Sequence, residues 1–490
     1  MKKSKILLTA AELTPMAKVG GLADVIGALP KNLIRNHVDT RIIIPKYGII
    51  DEKEYNLKKI ASDIKVPFGN KEELINIWQS HLPGSAVLVY FIDNQKYLGR
   101  NGVYFEKDAS PGGSSPECQR FTFFSRSIFE TFKPLNFHPE VIHLHDWHVG
   151  IIPFLKNYLG QKNPSIRKIK TLLTIHNLAY QGNYNYREVL DYLNIKKEEA
   201  KNMKFMPLDK NNIKYLRQAI LHADSLNTVS PTYAQEIMNA EYGAGLEKEL
   251  QKRKEDLHGI LNGIDVERFN PALDQEIIKQ YSIDRLENKK INKKNLQKIS
   301  GLKQSEDTPV LGLVGRLAEQ KGIDLILQIL PKLAKNNCQL VLLGTGNKEL
   351  EENLKKAAKK YKNWLSATID FDASLAQKIY AGSDMFLMPS RYEPCGLGQM
   401  IAMRYGNIPI VRATGGLADT VHEFNPENEV GTGFCFEKFE ASEFYKATKR
   451  ALEVYKNKEK WLKLMKNGMK KDFSWNKSAK KYIELYHQLI

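Results

Sequence analysis

The run Lys5-Ile6-Leu7-Leu8-Thr9-Ala10, followed by Lys18-Val19-Gly20-Gly21-Leu22-Ala23-Asp24, reads as a buried strand, a glycine turn and the start of a helix. Leu22, Val25, Ile26, Leu29 and Leu33 recur at helical spacing after the turn. The pentapeptide Gly-Gly-Leu-Ala-Asp returns at Gly415–Asp419, again between an apolar run and a helix-like one. A glycine pair there lets backbone N–H groups approach a ligand at a helix N-terminus, a place that favours anions. Two such turns, one in each half, predict a phosphorylated ligand held between two similar lobes.

Working outward, short apolar runs alternate with amphipathic stretches, the pattern of parallel α/β sheets. Strands are expected at Lys5–Ala10, Arg41–Ile44, Val141–Leu144, Thr171–Ile175 and Ser225–Val229. A second series follows at Gly259–Leu261, Val310–Val314, Leu340–Leu343, Met385–Met388 and Ile408–Val411. Most of them run into polar or glycine clusters: His145-Asp146-Trp147-His148, His176-Asn177, Gly315-Arg316, Gly344-Thr345-Gly346 and Pro389–Glu393. Ligands of open α/β sheets bind outside the carboxyl ends of the strands, so these clusters should converge.

Two Rossmann-like domains are expected, residues 1–245 and 258–471, with a linker near Glu241–Asp256. The closing helix, 472–490, has Trp475, Ala479, Tyr482, Tyr486 and Leu489 on one face, and crossing back to the first domain would cover it. The charged segment Glu287–Lys303 reads as a surface excursion, and Asp108–Pro116, with its Pro-Gly-Gly-Ser-Ser core, as a loop.

At 490 residues the chain is long enough for two or three cores. Its four cysteines lack CxxC spacing and read as reduced thiols of a cytoplasmic protein. Met1–Lys5 has the charge of a signal peptide, but the apolar run after it is short and Glu12 soon follows. No stretch approaches the ~18 apolar residues of a membrane span. The net charge of +17 rests on lysines that outnumber arginines more than threefold and are widely spread. That is the signature of a solvated surface, and no nucleic-acid module accompanies it.

The motifs that carry chemistry are Lys18–Asp24, His145–His148, Ile175–Asn177, Leu261-Asn262-Gly263-Ile264-Asp265, Gly315-Arg316 with Gln320-Lys321-Gly322, Pro389–Leu397 and Thr414–Thr420. In this order, across nearly the whole chain, they resemble bacterial glycogen synthases and plant starch synthases. The resemblance implies a GT-B fold of two Rossmann-like domains facing a deep cleft, with the last helix returning to the N-terminal domain. It implies retaining transfer of glucose from a nucleotide diphosphate glucose, most simply ADP-glucose, to the non-reducing end of an α-1,4-glucan such as glycogen. It implies no metal and no further cofactor.

A departing nucleotide diphosphate gains negative charge, and without a metal the protein must supply the cations. Arg316 and Lys321, a planar fork and a point charge across one strand-to-helix turn, suit that task. The resemblance places both on the diphosphate, Lys18 near the phosphates, and Glu393 on the glucose hydroxyls. It places His176 against the glucose, Asp146 on the sugar side, and Asp24 near the donor sugar or ribose. Gly20, Gly21, Asn177, Asn262, Cys395, Gly396 and Leu397 complete the expected donor-binding set. Closure of the cleft would bring the Lys18 and His176 side toward Arg316, Lys321 and Glu393. Position 401, where the wider superfamily has a second glutamate, is isoleucine, which leaves ribose binding to other residues.

His143 and His145 share a strand face, so with His148 they are the one group with metal-like spacing. A transferase using UDP-glucose or making a small glycoside is the nearest rival. A dehydrogenase would need Gly-x-Gly-x-x-Gly after the first strand, which is absent. A catalytically dead glucan-binding protein would have no use for Arg316, Lys321 and Glu393 together. No pattern fixes an oligomeric state.

Overall fold

The structure, a computed structural model, describes residues 3–105, 115–209 and 211–490. The loop expected at Asp108–Pro116 falls almost wholly outside these residues. The chain forms two compact units: residues 1–229, 234–260 and 475–490 make the first, and 230–233 with 261–474 the second.

In the first unit the strands are β1 (Lys5–Thr9), β2 (Asp39–Pro45), β3 (Lys58–Phe68), β4 (Lys71–His81), β5 (Leu88–Asp93), β6 (Val141–His145) and β7 (Lys170–Ile175). β8 (Asn183–Asn185) and β9 (Asn212–Lys214) pair with each other, and β10 (Ser225–Thr228) and β11 (Leu257–Gly259) complete the unit. The main sheet runs β11-β10-β7-β6-β1-β2-β5-β4-β3. Every pairing is parallel except β3 with β4 and β4 with β5. The order reverses at β1, with β2 on one side and β6 on the other. The carboxyl ends of β1 and β6 therefore flank the switch point, where a doubly wound sheet offers a crevice.

The second unit repeats the plan with β12 (Val310–Val314), β13 (Gln339–Leu343), β14 (Leu365–Thr368), β15 (Met385–Met388), β16 (Ile408–Arg412) and β17 (Phe434–Phe436). Its all-parallel order is β14-β13-β12-β15-β16-β17, with the switch point between β12 and β15. Helices cover the strands, so sequences such as Val-Leu-Gly-Leu-Val and Met-Phe-Leu-Met carry no polar alternation.

Two expectations are corrected, and one element lies outside them. The first unit continues beyond the linker expected at Glu241–Asp256: β11 is its edge strand, bonded in parallel to β10. The charged stretch 287–303 is no excursion, because its helix Lys289–Ile299 packs on the helix Ala373–Gly382. There Lys289 is buried and its Nζ donates to the Ala381 carbonyl at 2.8 Å and Asn407 Oδ1 at 3.0 Å. Lys293 pairs with Asp384 at 2.8 Å and donates to Tyr455 Oη at 2.7 Å. The antiparallel pair β3–β4, rich in charged and exposed positions, was not expected at all.

The last helix, Trp475–Leu489, belongs to the first unit and packs on the helix Gly21–Arg35. Its buried face is Trp475, Ala479, Tyr482, Leu485 and Tyr486, so Leu485 takes the place expected for Leu489. Tyr482 Oη accepts from Asn227 at 3.0 Å, and Tyr486 Oη meets His143 Nδ1 at 2.7 Å. Among the described residues no helix is long and apolar enough to cross a membrane.

Candidate active site

The second unit gathers its chemistry where its sheet reverses. β12 ends at Val314, and Gly315-Arg316 leaves from it, while β15 ends at Met388 and leads through Ser390 to Glu393. A short turn, Glu319–Lys321, then swings Lys321 across to the second of these segments. Its Nζ lies 2.6 Å from Glu393 Oε2, which also accepts from Ser390 Oγ at 3.0 Å. The carboxylate is buried, with 7% of its side chain exposed, whereas Lys321 retains 27%. Arg316 is held more loosely, with Nη2 3.5 Å from Gln320 Oε1, and Gln320 is tied by Nε2 to the Tyr392 carbonyl at 3.1 Å. A guanidinium, an ammonium and a carboxylate thus follow the ends of two adjacent strands, the first two suited to an anion and the third to hydroxyl groups.

Glycine makes this packing possible at two points. Gly322 has φ +68°, and a Cβ there would stand 2.0 Å from the Pro389 carbonyl oxygen. Gly415 has φ +44°, and its Cβ would stand 2.1 Å from the Glu393 carbonyl oxygen. The second Gly-Gly turn is therefore a backstop for the Glu393 loop. Its Gly416 N–H donates to the Glu393 carbonyl at 3.1 Å, not outward to a ligand. Asp419 of the same pentapeptide accepts from Thr232 N and Oγ1 at 2.9 and 2.8 Å. Cys395 is buried, which pushes its thiol up to about 12, so it is no nucleophile near neutral pH. The Asn262 backbone amide lies against that thiol, while Asn262 Oδ1 is buried without a hydrogen-bond partner among the described residues. Gly396 and Leu397 continue the loop into the helix Gly398–Arg404.

In the first unit the glycine turn is also occupied from within. Glu12, buried just beyond β1, accepts from Val19 N at 3.0 Å and Gly20 N at 2.6 Å. Its other oxygen accepts from Tyr104 Oη. A carboxylate of the chain itself thus sits where a helix N-terminus attracts anions. The amides of Val19 and Gly20 in the first turn, and of Gly416 in the second, are thus taken up by the chain itself. Gly21 opens the helix with clear space at its Cβ position. Lys18 and Asp24, both partly exposed, pair with each other at 2.7 Å.

Across the switch point, Asp146 has φ +61° and its Oδ1 accepts from His176 N at 2.7 Å. It also takes a backbone hydrogen bond from Asn177, and burial raises its pKa to about 7. Asp146 therefore fixes the loop that presents His176 and Asn177. His145 Nδ1 lies 3.0 Å from His176 Nε2. Burial lowers the pKa of His176 to about 3 and of His148 to about 3, and holds His143 and His145 well below the usual range. These imidazoles are neutral near pH 7. His143 spends both ring nitrogens on Tyr486 Oη and Thr174 Oγ1, each at 2.7 Å, which rules out the metal reading for it. Among the described residues no group of three or more His, Cys, Asp or Glu side chains is arranged to hold a metal ion.

Glu12 and Tyr104 are the residues that sequence reasoning missed. The signal for Glu12 was available: a lone acid between a buried strand and a glycine turn.

The comparisons agree over nearly the whole chain. Residues 5–252 match the family described as starch synthase catalytic domain, and residues 294–470 that described as glycosyl transferases group 1. The chain is 44% identical over 496 residues to a glycogen synthase of Thermosipho africanus (strain TCF52B), covering 99% of each. It is 44% identical over 489 residues to a glycogen synthase of Clostridium novyi (strain NT), again covering 99% of each. Among solved structures, the catalytic domain of starch synthase IV from Arabidopsis thaliana, bound to ADP and acarbose, matches with a TM-score of 0.88. That pair is 34% identical, with 99% of both chains covered. A sucrose-phosphate synthase from Thermosynechococcus elongatus, 18% identical with a TM-score of 0.60 over 99% of both chains, shares the fold.

Proposed function

The chain belongs to the glycogen and starch synthase family of glycosyltransferases, and from that premise we propose that it extends α-1,4-glucans with glucose taken from ADP-glucose. The acceptor is the non-reducing end of a glycogen chain, and the anomeric configuration is retained. The observation that carries this reading is the Lys321–Glu393 pair beside Arg316 at the switch point of the second sheet.

In the reaction the bond between glucose C1 and the β-phosphate oxygen breaks as the acceptor 4-hydroxyl oxygen bonds to C1 on the same face. The acceptor proton passes to the departing diphosphate, so no separate base is needed. Arg316 and Lys321 hold the diphosphate and stabilise the charge that grows on it, a task done without a metal or other cofactor. Glu393 binds glucose hydroxyls and, as an anion, favours positive charge developing at C1. Cys395, Gly396, Leu397 and Asn262 shape the donor pocket of the second unit. In the first unit Lys18 serves the phosphates, Asp24 the ribose or sugar, and His176 and Asn177 the glucose, with Asp146 holding their loop. The enzyme acts in the cytoplasm, without nucleic-acid or membrane partners.

Initial rates with ADP-glucose and UDP-glucose, each with glycogen as acceptor, test the donor. A clear preference for ADP-glucose is expected. Equal or better rates with UDP-glucose would overturn that choice, and no transfer from either would overturn the reaction.

A further inference from the structure

His145 is fully buried, and its two ring nitrogens are treated differently. Nδ1 faces His176 Nε2 at 3.0 Å, whereas Nε2 is buried with no hydrogen-bond partner among the described residues. The ring is held by His143, which packs against it at a centroid distance of 4.1 Å, tilted by 37°, and is itself anchored at both nitrogens. Each neutral imidazole carries one N–H, so the contact admits two arrangements. If His176 donated, His145 would carry its proton on Nε2 and bury an orphan N–H. If His145 donates, Nε2 holds only an unshared lone pair. Buried N–H groups without partners are rarer and costlier than under-satisfied acceptors.

We infer that His145 is a positioning residue that donates through Nδ1 to His176 Nε2, fixing His176 as the Nδ1–H tautomer so that it meets its ligand as a hydrogen-bond donor. His176 Nδ1 has no partner among the described residues, and the side chain is only half-buried. Asp146 sets the backbone of His176 and His145 sets its proton, so orientation and polarity are fixed by two adjacent residues, the last of β6 and the one after it. The matching ligand atom is an acceptor, a sugar hydroxyl oxygen using its lone pair. That ligand rests on the glucosyl-transfer reading; the tautomer does not.

The test is ¹⁵N NMR of the full-length protein with ¹⁵N-labelled histidine, the His176 signals being identified by their loss in His176→Gln. An amine-like Nδ1 and an imine-like Nε2 on His176 are expected at pH 7.5. The reverse assignment would overturn the inference whether or not the protein turns over ADP-glucose. His145→Leu should remove the single tautomer and lower kcat/KM for ADP-glucose about tenfold, the scale of one hydrogen bond. Inhibition by ADP, which lacks the sugar, should stay unchanged. His145→Asn, whose amide N–H stands near the Nδ1 position, should restore the rate to within about threefold of wild type, and His145→Gln should not. Equal rescue by both, or an unchanged rate in His145→Leu, would contradict the assignment.

Discussion

The ammonium of Lys321 lies 2.6 Å from the carboxylate of Glu393, although 72 residues separate them in sequence. The pair joins the turn after β12 to the segment after β15 across the reversal of the sheet. One ammonium therefore serves a buried carboxylate, and on the proposed reading the same ammonium holds the diphosphate.

Replacing Lys321 or Arg316 by alanine is expected to lower kcat by roughly 10²–10³, the loss seen when one donor to a developing anion is removed. Lys321→Ala should also lower Tm, since it strips a buried carboxylate of its countercharge. Arg316→Ala should not, its side chain's one hydrogen bond among the described residues being long and exposed. Steady-state rates and thermal melts check both, and a near-normal rate in either variant would remove that residue from the leaving-group clamp.

Glu393→Gln should separate binding from turnover. The carboxylate repels a diphosphate drawn to the same lysine, so neutralising it is expected to tighten ADP several-fold while turnover collapses. Calorimetric titration with ADP beside rate measurements decides this. Weaker ADP binding with unchanged turnover would refute the assignment.

Gly322→Ala places a methyl group against the Pro389 carbonyl at a left-handed backbone position. A loss of roughly 1–3 kcal/mol is expected from strain and overpacking. Since Pro389 leads into Ser390 and Glu393, kcat should fall with it. Chemical denaturation measures the first effect, and stability equal to wild type would show that the segment yields freely.

Stability should fall on acidification. Burial lowers His143, His145, His148 and His176 in the folded state, while the unfolded chain titrates near 6.5. Depressed groups of this kind give stability that is present above about pH 6.5 and is lost as the pH falls below it. Asp146, raised to about 7, acts in the opposite sense: its contribution is present at low pH and lost as the pH rises through 7. The four histidines outweigh Asp146, and His222, lowered by burial to about 4, adds to them, so Tm should drop between pH 7.5 and 5; a flat or rising Tm would contradict the burial argument.

The parallel strands were legible because strands covered on both faces carry uninterrupted apolar runs, as in β12 and β15. The positions of Arg316 and Glu393 just past strand ends were legible from the apolar runs that precede them. The β3–β4 pair was not, since its exposed charged faces hide the two-residue period. Lys289 and Lys293 misled for a related reason: a lysine satisfied inside the protein is spelled like one in water. The capture of the Val19 and Gly20 amides by Glu12 had a signal, a lone acid between a buried strand and a glycine turn, whereas the distant Tyr104 that joins it had none.

The most direct measurement supplies ADP-[¹⁴C]glucose and glycogen, isolates the polymer, and digests it with β-amylase, which releases maltose only from α-1,4-linked non-reducing ends. Label recovered in maltose is the predicted result. Label absent from the polymer, or retained in a fraction the amylase cannot cut, would contradict retaining α-1,4 glucosyl transfer.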